Sequence, residues 1–273
     1  MQNILEREFG GLRVVLSGGT DGRGGGTGPL VVLLHGYGAP GRDLVPLSQV
    51  LPVPPGTRFA FPAAPLSLGP NLGPSFMQMF DSRAWWPIDI ERFERALGGL
   101  GGRPDLSSPA VAALMEDVPS GLAVARGKLV AALDAMEREL AVPPGAIVLG
   151  GFSQGAMLSL DTALRTHRPL AGLLLLSGTM ICKSEWLPRM AARAGLKVFQ
   201  SHGQRDPLLP FFIAEALRDQ LRQAGLAVEF CPFVGQHEIP QAVLRAASTF
   251  LKSALSAPAP ASPPPAAGTG GHV

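Results

Sequence analysis

The most constraining stretch of the chain is Gly145-Ala146-Ile147-Val148-Leu149-Gly150-Gly151-Phe152-Ser153-Gln154-Gly155-Ala156-Met157, in which a short apolar run enters Gly-x-Ser-x-Gly and leaves as a helical pattern. This is the context of a nucleophile elbow, a sharp strand-to-helix turn that lifts a serine hydroxyl above a parallel sheet. Gly151 and Gly155 are needed because a Cβ at either position would collide as strand and helix close on one another. The motif alone recurs by chance. Its flanking strand and helix are what give it chemical meaning.

The rest of the chain supplies the sheet such an elbow needs. Leu30–Leu34 is a continuous Leu-Val-Val-Leu-Leu run bounded by turn residues, and residues 146–149, 170–176 and 198–199 repeat its character, with 57–61 a weaker version. Such runs predict strands buried on both faces of a parallel sheet. Helical patterns lie between them: Leu129, Leu133, Met136 and Leu140 recur at helical spacing, as do Ala214, Leu217 and Leu221 in a segment begun by Pro210. The alternation predicts an α/β fold, a mostly parallel central sheet with helices on both faces. At 273 residues, we expect one domain over residues 1–255. The Ser-Ala-Pro-Ala-Pro-Ala-Ser-Pro-Pro-Pro run that opens at Ser256 predicts a disordered tail over 256–273. Residues 18–28 hold seven glycines in eleven positions and read as a mobile turn after an opening strand at 12–16. They are not a phosphate loop, because no Gly-Lys-Ser/Thr follows and a strand comes next. Residues 97–109 read as a surface loop.

A serine hydroxyl is a weak nucleophile until a base takes its proton, so the five histidines become the next question. The chain order Ser, Asp/Glu, His excludes His35, while His167 falls inside the predicted helix after the elbow and His272 in the tail. His237, in a loop after the strand predicted at 228–230, is the candidate general base. His202 precedes Asp206 by only four residues and suits a loop-shaping role. Asp206, at a strand end between serine and histidine, fits the acid that orients the imidazole. Asp161 and Asp219 fall at helical positions and read as solvated surface carboxylates. The developing oxyanion needs backbone donors: the amide of Gln154, just after the serine, and that of Tyr37 in His35-Gly36-Tyr37-Gly38.

Composition narrows the remaining classes. The net charge of +2 comes from 23 basic and 21 acidic residues with no Lys/Arg run, which argues against nucleic acid as a partner. Glu6, Arg7 and Glu8 interrupt what a secretory signal would need, and no 18-residue apolar stretch predicts a transmembrane segment, so a cytoplasmic location is expected. Cys182 and Cys231 read as buried small apolar residues, too few for a disulfide framework. No metal-ligand spacing occurs, and no cofactor is expected. A homodimer is compatible with the sequence but has no support in it.

Together, Leu34-His35-Gly36-Tyr37-Gly38, Gly151-Phe152-Ser153-Gln154-Gly155, Ser201-His202-Gly203 through Asp206, and Gly235-Gln236-His237-Glu238-Ile239 resemble the phospholipase/carboxylesterase family, which includes the acyl-protein thioesterases. The resemblance spans roughly residues 30–251 and rests on the ordered set of four motifs. It implies an α/β-hydrolase fold with little or no cap, acting on small to medium acyl esters or thioesters through an acyl-enzyme. Ser153, Asp206 and His237 match the family triad, and Tyr37 and Gln154 its oxyanion positions. A dienelactone-hydrolase-like or lysophospholipase/lipase activity is the alternative on the same scaffold. A non-catalytic binding protein would require a lost triad member, and none is missing. Residues 76–90 are similar to the family's aromatic substrate loop but carry a doubled Trp, and 97–109 looks inserted. Trp85, Trp86 and Met77 are the candidate substrate-binding residues, since acyl pockets are mainly apolar.

Overall fold

The computed structural model describes residues 4–69, 81–88 and 109–256. Eleven strands are found among them: β1 (Leu5–Phe9), β2 (Leu12–Gly19), β3 (Arg23–Gly25), β4 (Leu30–Leu34), β5 (Arg58–Pro62), β6 (Leu66–Ser67), β7 (Arg83–Ala84), β8 (Ile147–Phe152), β9 (Gly172–Leu176), β10 (Lys197–Gly203) and β11 (Ala227–Phe233). The central sheet runs β1-β2-β5-β4-β8-β9-β10-β11, with β3 on β2 and β6 pairing β7 separately. From β5 to β11 every pairing is parallel, while β1 and β2 are antiparallel additions at one edge. The expected fold class therefore holds, and no cap-sized insertion occurs among the described residues.

Strand β4 illustrates why the sheet is central. All five of its residues are buried; Leu30, Val32 and Leu34 join one apolar cluster, and Val31 and Leu33 the other. Successive side chains point to opposite faces, so a strand without a polar member must be covered on both. The helices Leu122–Glu139 and Gln154–Arg165 belong with the first cluster, and Gln241–Leu255 closes the second. The Leu129, Leu133 and Met136 stripe lies in the first of these, and Pro210 caps the helix Phe211–Gln223.

Several local expectations are corrected. Asp161 is fully buried: its carboxylate accepts from Arg126 Nη1 at 2.6 Å, Arg165 Nε at 2.8 Å and Trp186 Nε1 at 2.9 Å. The helix carrying it is covered all round, so a polar position on it is not a solvent position. Removing such a group would leave the buried Trp186 N–H without its acceptor and the part-buried Arg126 and Arg165 without their shared partner. Asp219, by contrast, is exposed, as read. The turn at 18–28 contains β3, and Asp21 Oδ1 accepts from the backbone N–H groups of Arg23 and Gly25. Buried Arg58 then ties this segment down by donating to the carbonyls of Gly26, Gly28 and Leu140. A glycine-rich composition marks freedom of the unfolded chain, and here a buried guanidinium removes it. His167 lies just beyond the helix that follows the elbow, exposed to solvent. Cys182 is buried, with burial pushing its thiol up to about 12, whereas Cys231 is half-buried. The tail at 257–273 and most of the 97–109 loop lie outside the described residues.

Candidate active site

Ser153, Asp206 and His237 all follow the carboxyl ends of parallel strands, where an open α/β sheet leaves its crevice. Strand β8 ends at Phe152, and the helix Gln154–Arg165 starts immediately after Ser153. Between them Ser153 has φ 54° and ψ −117°, a region that costs a side-chain-bearing residue on the order of 1–3 kcal/mol. The turn is held tight from outside. A Cβ on Gly151 would lie 2.4 Å from the Leu34 carbonyl oxygen, and one on Gly155 would lie 2.1 Å from the same atom. The Ser153 N–H donates to the Leu176 carbonyl at 2.8 Å, which pins the strained residue to β9.

Asp206 and His237 sit on the loops that leave β10 and β11, two strands paired in parallel from Lys197 to Gly203. Those loops are joined backbone to backbone, Gln204 N–H to Phe233 O at 2.8 Å and Arg205 N–H to Gly235 O at 2.9 Å. Gly203 makes the contact possible, because a Cβ there would come 2.1 Å from the Gln236 carbonyl oxygen. Across this seam His237 Nδ1 donates to Asp206 Oδ2 at 2.6 Å. The other carboxylate oxygen, Oδ1, accepts from the N–H groups of Leu208 and Leu209, each at 2.9 Å. Burial by itself would raise the Asp206 pKa, but the His237 hydrogen bond and charge, with the backbone donors, hold it below the usual carboxylate range. With Nδ1 committed to Asp206, Nε2 is the ring nitrogen of His237 available to take a proton. The ring packs 4.7 Å from that of Phe152, the residue before the serine. His202 is fully buried; its Nε2 donates to the Leu209 carbonyl at 2.7 Å and lies 3.4 Å from Asp206 Oδ2. Burial keeps its pKa low.

The segment 35–38 approaches the serine from β4. A Cβ on Gly36 would lie 3.3 Å from both the Ser153 Cβ and the Phe152 ring, so the Gly36–Tyr37 peptide runs past the hydroxyl-bearing carbon. Gln154 opens its helix, where backbone N–H groups have no partner within the helix itself. Its side chain performs a task that sequence reading missed: Oε1 accepts from the Trp85 N–H at 2.9 Å and Nε2 donates to the Trp86 carbonyl at 2.8 Å. Trp85 and Trp86 are 1% and 2% exposed and belong to the main apolar core, with the Trp85 indole N–H on the His35 carbonyl at 3.0 Å. Met77 lies outside the described residues. No local signal announces a side-chain-to-backbone clamp between residues 69 positions apart.

His35, excluded as a base by chain order, is buried, and that burial lowers its pKa to about 4. In the unfolded chain the imidazole titrates near 6.5. Between those values acid protonates the unfolded state while the folded state resists, so stability falls as pH drops from about 6.5 towards 4. The full difference is about 3 kcal/mol. Urea midpoints at pH 7.5 and 4.5 should show a smaller acid loss for His35→Asn than for the wild type. Equal losses in both would remove His35 as the source.

A parallel-sheet protein with a strained Ser elbow, a His–carboxylate pair and a glycine-bearing loop beside the serine has the architecture of an α/β-hydrolase. Comparison with known proteins makes this specific. A family model described as Phospholipase/Carboxylesterase matches residues 122–255. The acyl-protein thioesterase 1 of Eremothecium gossypii is 30% identical over 247 residues, covering 85% of this chain and 91% of that protein. Acyl-protein thioesterase 1 of Neurospora crassa is also 30% identical, over 128 residues that span 52% of its length. Among solved structures, esterase PE8 aligns with a TM-score of 0.66 at 30% identity, covering 88% of this chain and 97% of its own. The chain belongs to the phospholipase/carboxylesterase family, a family of ester and thioester hydrolases. Among the described residues no helix is long and apolar enough to cross a membrane.

Proposed function

We propose that the chain, as one catalytic domain over residues 1–255, hydrolyses small to medium acyl esters or thioesters in the cytoplasm, through an acyl-enzyme on Ser153. The observation that carries the reading is the His237–Asp206 hydrogen bond of 2.6 Å, made by a buried carboxylate whose imidazole packs on the residue preceding a strained serine. In the first step Ser153 Oγ forms a bond to the acyl carbon while its proton passes to His237 Nε2. The tetrahedral oxyanion is held by the N–H groups of Tyr37 and Gln154, and collapse breaks the bond to the alkoxide or thiolate, which takes the proton from His237. Water, deprotonated by the same nitrogen, then attacks the acyl carbon, the bond to Ser153 Oγ breaks as His237 returns the proton to Oγ, and the carboxylic acid leaves. Nothing in this sequence of steps needs a cofactor or a metal. Asp206 stays ionised throughout, and the backbone donors on Oδ1 favour that state. Family membership and the esterase fold support the substrate class.

The test is a series of nitrophenyl esters from acetate to palmitate, with a fluorophosphonate probe as active-site label. Turnover on at least the shorter esters and stoichiometric labelling that maps to Ser153 are expected. Hydrolysis untouched by the phosphonate, or labelling at another residue, would overturn the reading.

A further inference from the structure

We infer that the side chain of His35 is a positioning residue that sets the direction of the Tyr37 N–H, and with it the oxyanion site; the inference rests on the serine-hydrolase reading above. In a trans peptide unit the C=O and N–H point opposite ways. The N–H of Tyr37 shares its unit with the Gly36 carbonyl, and that carbonyl is hydrogen-bonded to His35 Nδ1 at 2.8 Å. Holding one end of the unit therefore aims the other. The same carbonyl also takes the Ala39 N–H, but at 3.4 Å, so the 2.8 Å His35 contact is the stronger of its two holds, and glycine itself offers little resistance to a change of backbone conformation.

The protonation pattern needed for this grip is dictated by a second contact. The backbone N–H of Ala64 reaches His35 Nε2 at 3.0 Å, and an amide N–H can only donate. Nε2 is thus the acceptor, the ring proton resides on Nδ1, and the Gly36 oxygen receives it. The same contact denies His35 any part as a base, because the lone pair a base would use is occupied. A chain of bonds extends the hold to the other oxyanion donor. The preceding carbonyl, that of His35, takes the Trp85 indole N–H at 3.0 Å; Trp85 N–H is bound by Gln154 Oε1 at 2.9 Å. Gln154 contributes the second backbone donor of the oxyanion site, so its own side chain is tied through Trp85 to the loop that carries the first. All three side chains are buried, where hydrogen bonds are stronger and a lost one costs more. Trp85 accordingly acts on the geometry of the loop, a different task from lining an acyl pocket.

His35→Phe keeps an aromatic ring and removes both contacts. It should lower kcat by about 10²–10³, the loss that follows from one oxyanion donor, leave KM nearly unchanged, and weaken an alkylboronic acid inhibitor by the same factor. His35→Asn places an amide nitrogen where Nδ1 stood, so it should recover most of kcat and of the boronate affinity, although Ala64 loses its acceptor and the melting temperature falls. A purely structural role would instead make the Asn variant fail in proportion to its lost stability. Should His35→Phe not fold, Trp85→Phe replaces it, with about a tenfold fall expected in kcat and boronate affinity together from the loss of one hydrogen bond. A folded His35→Phe with more than a third of wild-type kcat, or Trp85→Phe with both values intact, would overturn the inference. Phosphonate labelling of wild-type Ser153 separates the cases: an unlabelled wild type sinks the serine mechanism and this inference together, while a labelled wild type beside unimpaired variants sinks this inference alone.

Discussion

Ser153→Ala is expected to abolish ester hydrolysis, with turnover falling by about a million-fold, the loss typical of removing the nucleophile from a set that works as a unit. The fold should survive. Ser153 is at the surface of the elbow, and the contacts that shape the turn are backbone ones: its N–H on Leu176 O, and the close approach of Gly151 and Gly155 to Leu34. Alanine suffers the same strain at φ 54° as serine does, so the melting temperature should change little. The measurement is initial rates on a short-chain nitrophenyl ester with a fluorophosphonate label run in parallel. More than a tenth of wild-type activity in a clean preparation would remove Ser153 from the mechanism.

Asp206→Asn should reduce kcat by about 10⁴ for a reason that its two oxygens make plain. Oδ1 faces two backbone donors, Leu208 and Leu209, while Oδ2 faces His237 Nδ1. An asparagine must put its carbonyl on the side of the two N–H groups, since its NH₂ would clash with them. The NH₂ then faces Nδ1 of His237, which can only accept from it, and the ring proton moves to Nε2. His237 would be left holding a hydrogen where it must receive one. The buried Nε2–H of His202, 3.4 Å from Oδ2, would meet the same amide donor and reinforce the penalty. Steady-state rates with circular dichroism as a folding control check this. Nearly full activity in a folded Asp206→Asn protein would pass the orienting role to another carboxylate.

What could be read from the sequence was what a single element needs. The elbow was legible because strand, Gly-x-Ser-x-Gly and helix are contiguous, although the atom that a Cβ on Gly151 or Gly155 would strike first is the Leu34 carbonyl oxygen of the neighbouring strand, which no local pattern announces. The parallel sheet was legible because a strand covered on both faces must be apolar at every position, as Leu30–Leu34 is. Proposing His237 over the other histidines needed only their order along the chain and the elements around them. Where local rules misled, the missing quantity was the neighbour. Asp161 occupies an unremarkable helical position, and nothing near it foretells Arg126, 35 residues away, on a helix packed against its own. The glycine-rich turn at 18–28 looks free until Arg58 is brought under it.

The amino-acid sequence by itself pointed to the class of chemistry and to the three side chains proposed to perform it, because strand, elbow and helix are contiguous and the order serine, aspartate, histidine selects among the remaining candidates. The tertiary structure alone decided how those groups are aimed. Asp206 meets His237 because β10 and β11 are parallel neighbours whose loops share hydrogen bonds, and a Cβ on Gly203 would keep those loops apart. The Gly36 carbonyl is gripped by His35 in one tautomer because Ala64, 29 residues on, donates to the other ring nitrogen. A buried polar atom must find a partner, but the sequence states only the need; which distant atom meets it is settled when the strands take their order in the sheet.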